Sequence, residues 1–311
     1  MKVLLDLLPP AVSVHVRRLS PGRMDGLEEI RIRIGRPLEF VINGQPHFPA
    51  GMDTAVPAED GIHLLNRLSD YSLYAFDEEL KQGYITLQGG HRVGLAGKVI
   101  TEKGRVKRIR DISSFNIRIA RQKIGCAAAI QPYLFRRTWL NTMIIGPPQT
   151  GKTTIIRDLI RTVSNGSDEK GYPSMKVGVV DERSEIAGSA KGIPQHDVGI
   201  RTDILDACPK AEGLMMFIRS MSPDVLAADE IGRKADVEAL MEAVHAGVKL
   251  FITVHGSSLE EIRRRPSLHP LFDLDVFDRF VILSRVCGPG SISSILDKDG
   301  QELYRKKGVA T

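Results

Sequence analysis

The sequence predicts an α/β protein: a parallel sheet covered by helices, preceded by a smaller mixed α/β domain. Three observations predict it. The second half alternates short apolar strands with helical segments, the pattern of a parallel sheet. One strand–helix junction, "NTMIIGPPQTGKTT" (141–154), holds a glycine-framed loop of the kind that receives a phosphate. The first half alternates strands and turns at shorter spacing around one helix. At 311 residues the chain has the length of two ordinary domains. The expected division is 1–135 and 136–311.

In chain order, "MKVLLDLLPPAVSVHV" is apolar, but Asp6 and the Pro9-Pro10 pair interrupt it, so it does not read as a signal peptide. "EEIRIRIGRPLEFVINGQPHF" reads as three strands joined by a Gly-Arg-Pro turn and an Asn-Gly turn. "AEDGIHLLNRLSD" reads as a helix. "GYITLQGGHRVGLAGKVI" reads as a hairpin turning at Gly-Gly, and "SFNIRIA" as a further strand. A helix over 126–135 is expected to lead into the phosphate-loop strand. Beyond it, strands are expected over 175–181, 224–230, 249–256 and 279–286, with "SNGSDEKGYPS" as a surface loop. "SISSIL" and "QELYR" close the chain as a hairpin around Asp299-Gly300.

The loop fits G-x-x-x-x-G-K-[ST] at Gly146, Gly151, Lys152 and Thr153. Glycine lets the backbone approach a phosphate closely, with N–H groups turned inward. Lys152 supplies a point charge for the β- and γ-phosphates, and the Thr153 hydroxyl can ligate Mg²⁺. The helix that follows, about 152–162, offers its positive end to the same anion. The expected nucleotide-binding set is Gly146, Pro147, Pro148, Gln149, Thr150, Gly151, Lys152, Thr153 and Thr154.

Hydrolysis needs more than a phosphate loop. "VLAADE" ends a buried strand in Asp229, expected to hold Mg²⁺, and Glu230, expected to orient and polarise the attacking water. "VVDERSEI" is a second strand running into acids, so Asp181 and Glu182 join the set, with Arg183 facing the nucleotide or a neighbour. "TVHG" puts His255 at a third strand end, where it could sense the γ-phosphate. In a parallel sheet these ends share one edge. "ILDKDG" echoes the guanine-reading N-K-x-D only faintly, with Asp for Asn, so ATP is favoured over GTP.

Composition narrows the class. Hydrophobic content of 42% and charged content of 26% are those of a globular protein. No apolar run reaches the ~20 residues of a membrane span, so a cytoplasmic protein without a direct span is expected. Cys126, Cys208 and Cys287 are far apart, which gives neither a disulfide framework nor zinc spacing. A net charge of +5 permits nucleic-acid contact, with basic residues clustered at 103–111 and 261–266. Aromatic content of only 5% argues against a base-stacking platform, so nucleic acid is not the expected partner.

"GPPQTGKTT", "VVDERSEI", "RSMSPDVLAADEIGR" and "TVHG", in that order, resemble the secretion-type ATPases that drive type II and type IV secretion and type IV pili. In that family these blocks are the Walker A loop, an Asp box, a Walker B strand and a His box. The resemblance implies a RecA-like P-loop NTPase domain behind a smaller, PAS-like N-terminal domain. More specifically it resembles a sporulation branch, over roughly residues 25 to 285. It further implies ATP and Mg²⁺ as ligands and a homo-oligomeric, hexameric ring. The ring would sit at the cytoplasmic face of a membrane protein complex, the channel between mother cell and forespore. Arginines from another domain or subunit would then serve the γ-phosphate, with Arg92, Arg118 and Arg219 as candidates. Two departures stand out. Asp229 occupies a position where many pilus motors have Gly, and the four-cysteine zinc element of some relatives is missing. A nucleic-acid-dependent ATPase and an ATP-binding scaffold with little turnover are the alternatives.

Overall fold

The computed structural model describes residues 2–49, 55–68, 83–102, 104–286 and 288–306. The chain forms two compact units, Met1–Arg121 and Gln122–Thr311. The expected boundary at 135 moves toward the N-terminus because Ala127, Ile130 and Leu134 pack into the second unit's core with Trp139 and Ile155. The helix expected over 126–135 is helical only at Gln131–Leu134. The residues before it form i→i+3 turns, such as Ala128 N–H to Gly125 O and Ile130 N–H to Ala127 O.

The first unit holds an antiparallel sheet in the order β3-β2-β1-β6-β5-β4. Its strands are β1 (Leu27–Arg33), β2 (Glu39–Ile42), β3 (Gln45–His47), β4 (Tyr84–Thr86), β5 (Arg92–Glu102) and β6 (Arg105–Arg118). The β2–β3 turn places Asn43 at φ 50° and Gly44 at φ 74°, the two positive values a type I′ turn requires. The helix read in "AEDGIHLLNRL" is present as Ala58–Leu68; the last two residues of the expected helix, 69 and 70, lie outside the described residues. The apolar N-terminal stretch becomes two helices, Lys2–Leu7 and Pro10–Arg17. Leu4, Leu8, Val12 and Val16, four residues apart, enter the core beside Ile30, Phe40 and Phe115. Residues 106–111 of the basic stretch lie in the outer part of β6 and are largely exposed.

The second unit holds an eight-stranded sheet in the order β14-β13-β12-β7-β11-β10-β8-β9. Its strands are β7 (Thr142–Gly146), β8 (Val177–Asp181), β9 (Thr202–Asp206), β10 (Val225–Ala228), β11 (Lys249–His255), β12 (Arg279–Ser284), β13 (Ser291–Asp297) and β14 (Glu302–Arg305). β12 through β9 run parallel, and β13 and β14 continue antiparallel as the closing hairpin. Both faces are covered. Met143 and Ile145 of β7 enter one core and Ile144 the other, as strand alternation demands. β9 was not legible in sequence, since Thr and Asp bracket it and most of it is only half-buried at the sheet edge.

This order positions a site. β7 lies between β11 and β12, yet the chain leaves it through the helix Lys152–Asn165 to β8, beyond both β11 and β10. The strand order therefore reverses at β7, and a crevice opens at the carboxyl ends of the strands there.

Candidate nucleotide site

The phosphate loop runs from the end of β7 to the helix Lys152–Asn165. Gly151 sits at φ 89°, left-handed, and caps that helix. A Cβ on Gly146 would meet Thr150 Oγ1 at 2.5 Å, and one on Gly151 would meet Gly290 N at 2.8 Å. Close contact therefore favours glycine at both ends of the loop, and at Gly151 the left-handed backbone does so as well.

The loop carbonyls are drawn away by donors. Lys152 Nζ donates to Gly146 O at 2.9 Å and to Pro147 O at 3.1 Å. Thr150 Oγ1 donates to Pro147 O, Gly290 N–H donates to Thr150 O at 2.7 Å, and Arg285 donates to Pro148 O through Nε and Nη2. Pro147 and Pro148 have no N–H, so the donors for an anion come from the residues after them and from the first turn of the helix. Lys152 is 5% exposed, and burial pulls its ammonium below the usual lysine range. Asp229 and Glu230 oppose that shift and Arg285 adds to it.

Asp229 lies just past β10. Thr153 Oγ1 donates to its Oδ2 at 2.6 Å. Thr253 of β11 donates its hydroxyl to Oδ1, and Thr253 Oγ1 in turn accepts Glu230 N–H at 2.9 Å. Thr253 is wholly buried, so one side chain fixes both acids. Glu230 has φ 55°, a left-handed value that a non-glycine residue holds only under strain. The donor set suits Mg²⁺: a hydroxyl and a carboxylate oxygen meet at the phosphate loop, and this hard ion takes few protein ligands beside water and phosphate. Among the described residues no group of three or more His, Cys, Asp or Glu is arranged to hold a metal.

The residues read from sequence divide into those the second unit brings together and those it does not. Lys152, Thr153, Asp229 and Glu230 converge. His255 is exposed at the end of β11 with its backbone in register with Gly146, at the mouth of the crevice. Asp181 requires a correction. Its carboxylate accepts N–H groups from Glu185 (2.8 Å), Ile186 (3.0 Å) and Ala187 (2.8 Å), so it folds the loop after β8. Burial raises its carboxyl above the usual range, against the effect of those three N–H groups. Arg157, in the phosphate-loop helix, holds the same loop from the other side, donating to Ile186 O and Glu185 O at 2.5 Å each. Glu182 is taken by Lys210, with Arg233 at 3.9 Å. Burial pushes its carboxyl up, but Lys210, Arg233 and Arg183 outweigh that, and it stands below the usual range.

Arg219 stands away from the phosphate loop of its own chain. Its helix, Lys210–Ser220, returns the chain to the start of β10, while Asp229 follows that strand's other end. Within its own chain Arg219 lines a groove with Met215, Met216, Glu238 and Glu242. Arg92 and Arg118 are cross-strand partners in the first unit; Arg118 is exposed, and the Arg92 guanidinium lies 3.3 Å from the Tyr84 ring centroid.

Thr253 and Arg285 escaped the sequence reading, though each carries a signal. Thr253 is the hydroxyl in the apolar run "LFITV", and Arg285 follows a parallel strand, whose end must join the same edge.

Fold and site together define a class: P-loop proteins built on the fold of the secretion and pilus ATPases. The fold is similar to the Legionella pneumophila ATPase DotB, with a TM-score of 0.59 at 17% identity over 91% of this chain and 82% of that one. It is similar to the pilus retraction motor PilT, solved with bound ADP, with a TM-score of 0.58 at 18% identity over 83% and 75%. The chain belongs to the family described as Sporulation stage III, protein AA, whose model matches residues 11–303. It is 54% identical over 311 residues, the full length of both chains, to stage III sporulation protein AA of Bacillus subtilis (strain 168). Among the described residues no helix is long and apolar enough to cross a membrane.

Proposed function

We propose that the chain is an ATPase of the motor type, acting in a sporulation complex at the cytoplasmic face of a membrane. The observation that carries this is the convergence of Lys152, Thr153, Asp229 and Glu230 on one phosphate loop, fixed through Thr253. The likeness in fold to DotB and PilT supports it.

Each residue has a task. The N–H groups after Pro148 and the helix N-terminus receive the phosphates. Lys152 exchanges its bonds to Gly146 O and Pro147 O for phosphate oxygens. Its buried position makes that exchange favourable, since an ammonium out of water gains more from an anion than from two carbonyls. Thr153 and Asp229 would hold Mg²⁺, which neutralises phosphate charge when bound. Glu230 takes a proton from the attacking water.

The chain acts as a ring, hexameric in this reading, and the arginines come from a neighbouring copy. Arg92 and Arg118 are cross-strand neighbours on β5 and β6, so they present two positive charges together to the phosphate of a neighbouring copy. Arg118→Ala is expected to keep ATP affinity and the oligomeric state seen by light scattering, while turnover falls about 10³-fold or more. Wild-type turnover in that variant removes Arg118 from the mechanism.

A further inference from the structure

The carboxylate of Glu230 is already engaged. Its Oε2 accepts from Arg183 Nη1 at 2.7 Å. Sheet topology sets this meeting. Arg183 follows β8 and Glu230 follows β10; the two strands are parallel neighbours with Val180 beside Ala228. Their ends project side by side into a cleft lined by Asp181, Glu182, Arg183, Glu185, Lys210, Asp229 and Glu230.

Both partners stand on rigid supports. Glu230 is aimed by its left-handed backbone and by its N–H bond to Thr253. Arg183 stands on the loop that Asp181, Arg157 and Lys210 hold. The next residue, Ser184, is also left-handed at φ 52° and donates its hydroxyl to Asp206 at 2.6 Å. Eight anchors hold the loop that presents the Arg183 guanidinium toward Glu230.

 The anchors are the three N–H bonds to Asp181, two bonds from Arg157, the Lys210–Glu182 pair, and the hydroxyl and N–H bonds of Ser184.

A carboxylate oxygen that accepts from a guanidinium is a poorer acceptor for a water proton. We propose that Arg183 is a positioning residue that restrains Glu230, holding the base in a less reactive arrangement and keeping basal turnover low. This rests on the reading of Glu230 as the base for ATP hydrolysis. The side chains are 64% and 41% exposed, so the pair is weak and reversible. A restraint of that strength changes a rate by a few-fold, which suits an adjustable brake.

The test uses the full chain as wild type, Arg183→Ala, Arg183→Lys, Glu230→Gln and the Arg183→Ala/Glu230→Gln double variant. Steady-state kcat and KM for ATP are measured beside equilibrium ATP binding. Arg183→Ala is expected to raise kcat about 1.5- to 5-fold, the range for an exposed ion pair. KM and ATP affinity should stay near wild type. Arg183→Lys should fall between, since an ammonium keeps the charge without the planar fork. The double variant should be no faster than Glu230→Gln. Unchanged or slower kcat in Arg183→Ala, with ATP affinity intact, overturns the restraint while leaving the ATPase reading in place. Should Arg183→Ala bind ATP poorly, Arg183→Gln replaces it under the same criteria. Equal turnover in wild type and Glu230→Gln overturns the ATPase reading and the restraint with it.

Discussion

Thr253→Val changes little in volume and removes one hydroxyl. That oxygen donates to Asp229 and accepts Glu230 N–H at 2.9 Å, at a wholly buried position of β11. A hydrogen bond to a charged group contributes about 1.5–3 kcal/mol, and leaving a backbone N–H unpaired costs about 1–3 kcal/mol. The cleft beside the acids lets some of this relax, so the expected destabilisation is about 2–4 kcal/mol. Trp139, the single tryptophan, is buried in the same unit and reports its unfolding by fluorescence. With a urea slope of about 2–3 kcal/mol per molar, the midpoint should fall by about 1 M. Nucleotide affinity should change much less than kcat, because the loop donors are untouched while Glu230 loses the bond that aims it. A Thr253→Val protein with wild-type midpoint and wild-type kcat would refute the claim that this hydroxyl fixes both acids.

Gly151→Ala should cost about 1–2 kcal/mol for its left-handed backbone, and more for a Cβ set 2.8 Å from Gly290 N and 3.3 Å from Gly290 Cα. Equilibrium titration should show ATP affinity lost with it; retained affinity would contradict the packing described. Glu261 gives a pH prediction. The Ser257 hydroxyl and N–H, with Arg265, pull its carboxyl from 4.5 to about 2. A depressed folded value means its stabilisation is full above the unfolded value and fades as pH falls toward 2. The pair with Arg265 is partly exposed, so the effect is below about 1 kcal/mol. The midpoint difference between wild type and Glu261→Gln should shrink from pH 5 to pH 3, and a constant difference would oppose this assignment.

Much of this was legible in sequence because local rules and tertiary structure agree there. The phosphate loop needs glycine at both ends, and Gly146 and Gly151 show why in their contacts. The strands β7, β8, β10, β11 and β12 are short, mainly apolar runs, a pattern that burial on both faces imposes. Asp229 and Glu230 could be placed from that pattern alone. What stayed hidden depends on sheet order. Asp181 looks like a ligand in "VVDERSEI", yet the loop after β8 folds back and takes both its oxygens. Thr253 and Arg285 acquire their roles only because β11 and β12 flank β7. Arg219 is a candidate in sequence for the γ-phosphate of a neighbouring subunit, and within its own chain β10 separates it from Asp229, since four extended residues span roughly 13 Å. The N-terminal helices were obscured by Pro9-Pro10, which splits a buried apolar face without ending it.

The most direct measurement is phosphate release from ATP by the purified full chain beside Glu230→Gln at saturating nucleotide. The account predicts that wild type turns over and that the variant binds ATP normally but is slower by about 10²- to 10⁴-fold, the contribution of a positioned base. Equal rates in the two proteins, with ATP bound by both, would contradict it.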